Sequence, residues 1–256
     1  MNNIFQSHLL IKKGDIAPYV LLPGDPGRIK RIVRFWDSGK EVKYNREFLT
    51  WTGTYKGIPI SATSTGIGCP SAAIAVEELT NAGAEIFIRI GTCGALKKEI
   101  RPGNLILPDS ALRQDGTTKE YVVPDFVAQA SPEVFKALSD AAQSLGMVFF
   151  SGINRTHDAF YETTENFLSL MQTEEYKKGR LVSSEMECSS VFTVASLRGK
   201  KSGAVLAVNT AEPLEDIAKD PDLIYRLETT PDADKGIDDS IRVALRAIEL
   251  LEKRKQ

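Results

Sequence analysis

The sequence predicts an α/β fold in which a mixed β-sheet is covered by helices on both sides. Two apolar runs, residues 85–95 and 203–208, carry β-forming residues at consecutive positions, which is typical of strands buried on both faces. Amphipathic helical segments lie between the predicted strands, as in other α/β proteins. The 256 residues, 42% of them hydrophobic and 26% charged, suffice for one large core. We therefore predict a single domain over residues 1–256, with a ligand bound at the strand ends.

The bulk composition argues against several classes of partner. A net charge of −2 gives no reason to expect nucleic acid or an anionic membrane. No stretch reaches the apolar length of a transmembrane span, and the N-terminal residues lack the pattern of a secretory leader. Three cysteines without a C-x-x-C spacing argue against a disulfide framework, so we expect a cytoplasmic protein. With only His8 and His157, a zinc site is not expected.

The first strand, turn and helix have the features of an anion site. An apolar strand over residues 19–22 ends at PGDPG, residues 23–27, and helical periodicity follows from Ile29. A helix N-terminus after a glycine-rich turn offers N–H groups and the positive end of the helix dipole to an anion. Arg28, at the start of the helix, can add a bidentate contact. A simple tight turn is the alternative interpretation.

The next stretch, residues 40–64, is predicted to form a β-meander with turns at Gly53 and at Lys56-Gly57. The sequence STGIGCPS at residues 64–71 then places two glycines before a helix predicted over residues 72–82. This is not the dinucleotide-binding fingerprint, because Ser71 occupies the place of the third glycine. No G-x-x-x-x-G-K-[ST] motif occurs, which argues against a P-loop nucleotide hydrolase.

The central strand, EIFIRIGTCGA at residues 85–95, carries one arginine in an apolar setting. Arg89 is costly there unless an anion or a carboxylate meets its guanidinium group. The small residues that follow can bring backbone N–H groups and the Thr92 hydroxyl close to a ligand. Two interpretations stay open: Arg89 and Thr92 hold a phosphate at the end of the strand, or Arg89 is a structural residue paired with a buried glutamate.

The middle of the chain is predicted to contain a strand (104–108), a long aromatic loop (113–128), a helix (131–144) and a second strand (147–154). Phe160 and Tyr161 follow that strand. Aromatic side chains in this place can stack on a planar ligand, although they can equally belong to the core.

An acidic pair, Glu185 and Glu187, stands where a helix to about residue 198 is predicted to begin. A carboxylate suits the vicinal hydroxyl groups of a sugar, because both can donate to one charged group. The alternative is that both acids complement the helix dipole. The last element, predicted over residues 237–253, is an amphipathic helix.

Five motifs together resemble the nucleoside phosphorylase-I family, and within it the uridine phosphorylases. They are PGDPGR at residues 23–28, REF at 46–48, STGIGCPS at 64–71, RIGTCG at 89–94 and EME at 185–187. Their order and spacing are those of the family, and the likeness covers essentially the whole chain. The segment at residues 115–126 is also more similar to the uridine-cleaving branch than to the purine-cleaving one. The resemblance implies a sheet that is partly barrel-like.

The resemblance implies phosphorolysis, in which a nucleoside and phosphate give a free base and ribose 1-phosphate. It implies Arg28, Arg89 and Glu187 as the catalytic residues. The implied phosphate ligands are Gly24, Arg28, Arg89 and Thr92, with Arg46 donated by a neighbouring subunit. The implied ribose contacts are Glu187, Met186, Thr92 and the neighbour's His8. The implied base contacts are Phe160, Thr164, Asn166, Cys93 and Gly94. Glu47, Ile67 and Ser71 match positions that bind a potassium ion between subunits in some members.

Phosphate is then the co-substrate and no cofactor is required, because phosphate itself is the nucleophile. Ligands from a second subunit require at least a dimer, and the resemblance implies a hexamer.

Base recognition is where the sequence departs from the family. Uridine phosphorylases carry a Gln and an Arg shortly after the Phe-Tyr pair, and here those places hold Thr164 and Asn166. The purine branch carries Ser-Asp after the late strand, and here that place reads Asn209-Thr210. We expect uridine as substrate, with a purine nucleoside as the alternative. A nucleosidase that uses water and a non-catalytic nucleoside-binding protein are further alternatives.

Overall fold

One mixed sheet of ten strands organises the part of the chain that is described in the computed structural model, residues 5–225 and 230–255. The strands are β1 (Tyr19–Pro23), β2 (Ser38–Asn45), β3 (Phe48–Tyr55), β4 (Ile58–Thr63), β5 (Ile86–Ala95), β6 (Leu105–Gln114), β7 (Ala128–Gln129), β8 (Phe149–His157), β9 (Leu181–Glu185) and β10 (Lys201–Ala211).

Five of these strands close into a barrel. They pair in the order β10, β6, β8, β9 and β5, and β10 then returns to pair with β5. The β10–β5 and β8–β9 pairs are parallel, whereas β5–β9 and β6–β10 are antiparallel. At the edge opposite β10, the first half of β5 pairs with β1. From β1 the sheet continues through β4, β3 and β2. The predicted mixed, partly barrel-like sheet is therefore confirmed.

Helices cover both faces of this sheet. They are α1 (Pro26–Val33), α2 (Cys69–Ala82), α3 (Thr117–Tyr121), α4 (Pro132–Ser144), α5 (Thr164–Leu170), α6 (Glu174–Lys177), α7 (Cys188–Leu197), α8 (Leu214–Ile217), α9 (Asp222–Tyr225) and α10 (Pro231–Lys253). Helices α2 and α7 pack together, and α10 packs on α4 and β10. Over residues 5–225 and 230–255, none of the helices is both long and apolar enough to cross a membrane.

The central strand is buried on both faces, as its composition predicts. Phe87 packs into one core with residues of α2 and α7, such as Val76 and Phe192. Ile88 and Ile90 pack into a second core with residues of α4 and α10. Since successive side chains of a strand point to opposite faces, β5 is held between two apolar layers. Its carboxyl end is thereby fixed in position.

The structure corrects the predicted boundaries of several elements. The turn predicted at Gly53 is wrong, because Gly53 lies inside β3 and pairs with both neighbouring strands, whereas the turn predicted at Lys56-Gly57 is confirmed. The strand predicted at 104–108 continues to Gln114, and the loop predicted over 113–128 contains α3. The side chain of Asp115 accepts hydrogen bonds from the backbone N–H (2.6 Å) and the hydroxyl (2.8 Å) of Thr118, which stabilises the first turn of this helix. The last helix begins at Pro231 rather than near residue 237, because Thr230 caps it by accepting the N–H of Ala233.

Candidate active site

A cavity of about 980 Å³ opens at the carboxyl ends of β1, β5, β9 and β10. It brings together most of the residues that the sequence assigns to a site. The predicted residues that line it are Gly24, Arg28, Glu47, Ile67, Arg89, Thr92, Cys93, Gly94, Phe160, Met186 and Glu187. These residues come from the five motifs and from the separate stretch that contains Phe160, so the fold alone assembles them.

The β1–α1 turn is fixed by local hydrogen bonds. Asp25 caps α1 by accepting the N–H of Gly27 at 2.7 Å, and Pro26 occupies the first helical position. The carbonyl of Gly24 accepts the N–H of Gly66, which ties this turn to the second glycine-rich loop. A Cβ at Gly24 would lie 3.2 Å from the Gly66 carbonyl oxygen, so the close approach favours glycine. The N-terminus of α1 thus lies at the cavity.

Arg28 projects from α1 and donates from Nη1 to the backbone carbonyl of Ile90, at 3.0 Å. Burial and the neighbouring guanidinium of Arg89 lower the pKa of Arg28 to about 10. Two guanidinium groups close enough to disfavour each other's charge form an arrangement that an anion between them would relieve.

Arg89 pairs with buried glutamates, as one of the two interpretations of the sequence predicts, and its role in phosphate binding stays a prediction. Nε donates to Glu185 at 2.9 Å and Nη2 donates to Glu187, so the arginine is paired with buried carboxylates. Nη1 is buried without a hydrogen-bond partner within the described residues. Burial lowers the pKa of Arg89, but Glu187 and Glu185 outweigh it and hold this pKa above its usual value. A buried, charged N–H without an acceptor is costly, and an oxyanion would satisfy it.

Glu187 is held between a backbone amide and an arginine. Its Oε1 accepts the N–H of Gly68 at 2.6 Å, and its Oε2 accepts from Arg89. Burial raises the pKa of Glu187, and the charge of Arg89 opposes this shift only in part. The carboxylate lines the cavity next to Met186. A hydroxyl group entering the cavity would find a strong acceptor there.

Glu185 connects β8 to the start of α7 through hydrogen bonds. It accepts hydrogen bonds from Asn154 and Thr156 on β8, both at 2.7 Å, and from the N–H groups of Glu187 and Cys188. Because Cys188 begins α7, Glu185 fulfils the helix-terminus role that the sequence allowed for both acids. Glu187 makes no capping bond through its side chain; its oxygens bond Gly68 and Arg89, and each can accept a further hydrogen bond.

A second cluster of charged and titratable side chains in the cavity was not predicted from the sequence. Arg155, Glu162 and His157 line the same cavity as Phe160. Arg155 and His157 alternate along β8 and share one face of it, but the strand was predicted to end at residue 154, so the sequence did not indicate this arrangement. Burial, followed by the charge of Arg155, lowers the pKa of His157.

Two predicted base contacts lie off the cavity wall. Thr164 is the first residue of α5 and Asn166 is exposed, and neither is among the lining residues. The loop between β8 and α5 instead presents Glu162. The helix start at Thr164 turns the chain so that Phe167 is the α5 side chain that reaches the cavity.

Residues assigned to a neighbouring subunit are likewise not part of the cavity of their own chain. His8 donates its backbone N–H to Glu78, and its Nδ1 lies 2.7 Å from the same carboxylate. Arg46 is exposed in the turn between β2 and β3, where its φ is 54°. Neither residue lines the cavity, so their roles stay predictions that need a second chain.

The residues matched to a potassium site are close neighbours. The Ser71 hydroxyl donates to Glu47 Oε1 at 3.0 Å. Ile67 follows Gly66, where an added Cβ would lie only 2.7 Å from Glu47 Cγ. A carboxylate and a hydroxyl are suitable oxygen ligands for a hard cation. In the described ranges, 5–225 and 230–255, no group of three or more His, Cys, Asp or Glu side chains forms a metal cluster.

The chain is similar to known phosphorylases along most of its length. Residues 18–249 match the family described as the phosphorylase superfamily. The chain is 44% identical over 211 residues to a uridine phosphorylase of Thermococcus kodakarensis, with 79% of this chain and 76% of the relative covered. It is 36% identical over 204 residues to a guanosine phosphorylase of Halorubrum lacusprofundi, with 80% and 83% covered.

Its fold is also that of a solved relative. The crystal structure of purine nucleoside phosphorylase from Toxoplasma gondii in complex with immucillin-H matches with a TM-score of 0.85 and 31% identity, and 99% of each chain is covered. Together with the geometry of the cavity, these matches establish the family. The chain is a member of the phosphorylase superfamily and belongs among its nucleoside phosphorylases.

Proposed function

We propose that this protein is a pentosyltransferase that cleaves a nucleoside by phosphorolysis, with uridine as its preferred substrate. The products are the free base and ribose 1-phosphate. The observation that carries the proposal is the meeting of Arg28, Arg89 and Glu187 in one cavity. Two cationic groups and a carboxylate there suit an anionic nucleophile and a sugar diol.

Phosphate is proposed to bind between Arg28 and Arg89. The buried Nη1 of Arg89 lacks an acceptor in the described part of the chain, and the charge of Arg28 is disfavoured by its neighbour. Gly24 at the β1–α1 turn and the Thr92 hydroxyl line the cavity with them. Phosphate held there is positioned for attack on the anomeric carbon, so that binding energy replaces a covalent enzyme nucleophile.

The sugar is proposed to lie over Met186, with its hydroxyl groups donating to Glu187. As the glycosidic bond breaks, positive charge develops on the sugar ring. The bound phosphate then acts both as nucleophile and as electrostatic partner of that charge. The negative charge goes to the departing base. Asn209 and Thr210 line the cavity at the place of the purine-protonating aspartate, and neither is an acid. This favours uracil as the leaving base, because uracil can leave as a stabilised anion without being protonated.

A purine nucleoside is the second candidate substrate. The guanosine phosphorylase of Halorubrum lacusprofundi and the purine enzyme of Toxoplasma gondii are both similar to this chain. Water as nucleophile is disfavoured, because a neutral water molecule would leave Arg28 and the Nη1 of Arg89 without a charged partner. A non-catalytic binding protein would not need that pair of cations.

We propose further that the active unit contains at least two subunits, assembled as a hexamer in the cytoplasm. Arg46 and His8 would complete the neighbouring cavity, with Arg46 meeting phosphate and His8 meeting the 5′ hydroxyl. Glu47, Ile67 and Ser71 would hold potassium between subunits. The exposed position of Arg46 in its turn supports a role in reaching another chain.

The test is incubation with uridine, inosine and thymidine, each with and without inorganic phosphate. Base release that requires phosphate is the expected result, with uridine cleaved fastest. Release that is independent of phosphate would assign the protein to the nucleosidases. Binding without any release would assign it to the nucleoside-binding proteins.

A further inference from the structure

A buried ion pair in the cavity takes no part in the phosphate and ribose contacts described above. Arg155, on β8, donates from Nη1 and Nη2 to the two oxygens of Glu162, at 2.6 and 2.5 Å. Its Nε donates to Gln114 Oε1 at 2.6 Å. The side chains of Arg155 and Glu162 are only 5% and 4% exposed. This fork-to-fork geometry fixes the plane and orientation of both groups.

Stability alone does not account for the pair. Apolar residues of similar volume are often as stabilising as a buried ion pair, because burial of two charges carries a large desolvation cost. Both Arg155 and Glu162 line the cavity, together with Phe160. The three bonds from Arg155 engage three of its five N–H groups, and a carboxylate oxygen can accept more than one hydrogen bond. The pair therefore offers a donor and an acceptor side by side.

This pair differs from the phosphate site in its charge. The Glu162 carboxylate is bound directly to the Arg155 guanidinium and would repel a second anion. Arg28, in contrast, bonds a neutral backbone carbonyl. A neutral ligand whose edge carries one donor and one acceptor matches Arg155 and Glu162 better than a phosphate does. The aromatic ring of Phe160 in the same cavity suits a planar ligand.

We propose that Arg155 and Glu162 read the base, and that they select bases with an –NH–C(=O)– edge. Glu162 accepts the ring N–H, and Arg155 donates to the adjacent carbonyl oxygen. Uracil, hypoxanthine and guanine carry this edge, whereas cytosine and adenine present a ring nitrogen lone pair and an amino group in its place. The inference rests on the proposed function, because it assigns the base to the part of the cavity that phosphate and ribose leave open.

The same contact supports departure of the base. When the glycosidic bond breaks, the electron pair moves onto the base and spreads to its carbonyl oxygens. A guanidinium N–H at one of these oxygens stabilises the charge where it develops. Glu162 and Gln114 hold the guanidinium in place, so little reorganisation is needed.

The test compares substrates with and without the ring N–H. In the wild-type protein we expect kcat/KM for uridine to exceed that for 3-methyluridine by about 10²-fold, because the methyl group removes a donor from a buried acceptor. The double substitution Arg155→Leu with Glu162→Leu removes both charges together, which avoids an unpaired buried ion. It should bring the ratio of the two substrates to within about 3-fold of unity. Cytidine should be cleaved poorly by the wild-type protein.

The control is Glu165→Gln, an exposed carboxylate on α5 that does not line the cavity, and it should leave the ratio unchanged. KM for phosphate should stay within about 3-fold in the double variant, since the phosphate groups are separate. An equal loss for uridine and 3-methyluridine in the double variant, or no preference between them in the wild-type protein, would overturn the inference.

A second readout separates this inference from the proposed function. If the wild-type protein releases no base from any nucleoside with phosphate, the proposed function fails. The base site is then tested by calorimetry with free uracil and 3-methyluracil. Tighter binding of uracil that is lost in the double variant supports the base-reading pair. Equal binding of both bases contradicts it.

Discussion

At the level of single residues, Arg89 combines a structural pairing with one nitrogen that is left for the proposed phosphate. Two of its nitrogens bond Glu185 and Glu187, which offsets the cost of burying the guanidinium. The third, Nη1, has no acceptor within residues 5–225 and 230–255. Truncation of Arg89 would leave two buried carboxylates without their cation, so it would remove fold stability together with activity. Arg28 is therefore the better probe of phosphate binding.

Substitution of Arg28 by methionine should raise KM for phosphate by about 10²-fold, because a charge-assisted contact to the anion is lost. The fold should persist, since Arg28 makes a single hydrogen bond to the Ile90 carbonyl. Arg31→Met is the matched control on the same helix, because Arg31 bonds Asp234 and Asp238 instead. Steady-state kinetics with varied phosphate measures both variants. An unchanged KM in Arg28→Met would remove this residue from the phosphate site.

The raised pKa of Glu187 predicts a pH dependence with a definite sign. Burial raises this pKa, so the carboxylate takes up a proton at a higher pH than an exposed glutamate does. As the pH falls, Glu187 loses its charge and kcat/KM for ribosides should fall. Glutamine cannot titrate, so the ratio of kcat/KM between the wild type and Glu187→Gln should decrease towards low pH. Taking this ratio cancels the titration of phosphate itself. A ratio that is constant from neutral to acid pH would contradict the role of Glu187.

Some of the residues that line the cavity were predictable from the sequence and others were not. Arg89 and Glu187 stand in local patterns, a charge inside an apolar strand and an acid pair at a helix start, which already indicate chemistry. Arg155 and Glu162 carry no such pattern, because their partnership depends on a loop that returns to β8. Thr164 and Asn166 were matched by spacing alone, and the start of α5 places them off the cavity wall.

At the level of elements, the end of β5 requires a residue without a side chain. A Cβ at Gly91 would lie 2.7 Å from Leu206 Cδ2 and 2.8 Å from Arg89 Nη2. Gly91→Ala should therefore displace the guanidinium and raise KM for phosphate by about 10-fold, with a smaller effect on stability. Kinetics and thermal unfolding measure the two effects separately.

The matched control is Gly203→Ala on the neighbouring strand, where a Cβ would lie 2.6 Å from Val134 Cγ1 in the core. That variant should lose about 1–3 kcal/mol of unfolding free energy while its KM for phosphate stays the same. The reverse pattern, with phosphate affinity lost in Gly203→Ala and kept in Gly91→Ala, would show that Arg89 is not positioned by the end of β5.

The predicted strands and helices were largely right, and their limits were not. The apolar runs at β5 and β10 indicate strands buried on both faces, and the structure confirms them. The extension of β6 to Gln114 and of β8 to His157 escaped prediction. These ends carry polar residues, and they are strands only because β6 and β8 pair with each other in the closed barrel. That pairing is a tertiary effect, which local periodicity does not report.

At the level of the whole molecule, the account requires that two chains share each active site. Arg46→Ala and Glu187→Gln should each be nearly inactive alone. A co-expressed mixture should recover about a quarter of the wild-type activity, because a mixed pair contains one site with both residues intact. Activity assays on the purified mixture, with each single variant as control, measure this. A mixture no more active than its components would place Arg46 outside the site.

The central claim is that phosphate bound by Arg28 and Arg89 attacks the sugar directly. The most direct measurement is phosphorus NMR of the reaction of uridine with phosphate labelled by oxygen-18 at all four positions. The account predicts ribose 1-phosphate that keeps all four labelled oxygens and forms in step with uracil. Formation of free ribose, with the labelled phosphate left unchanged, would contradict it.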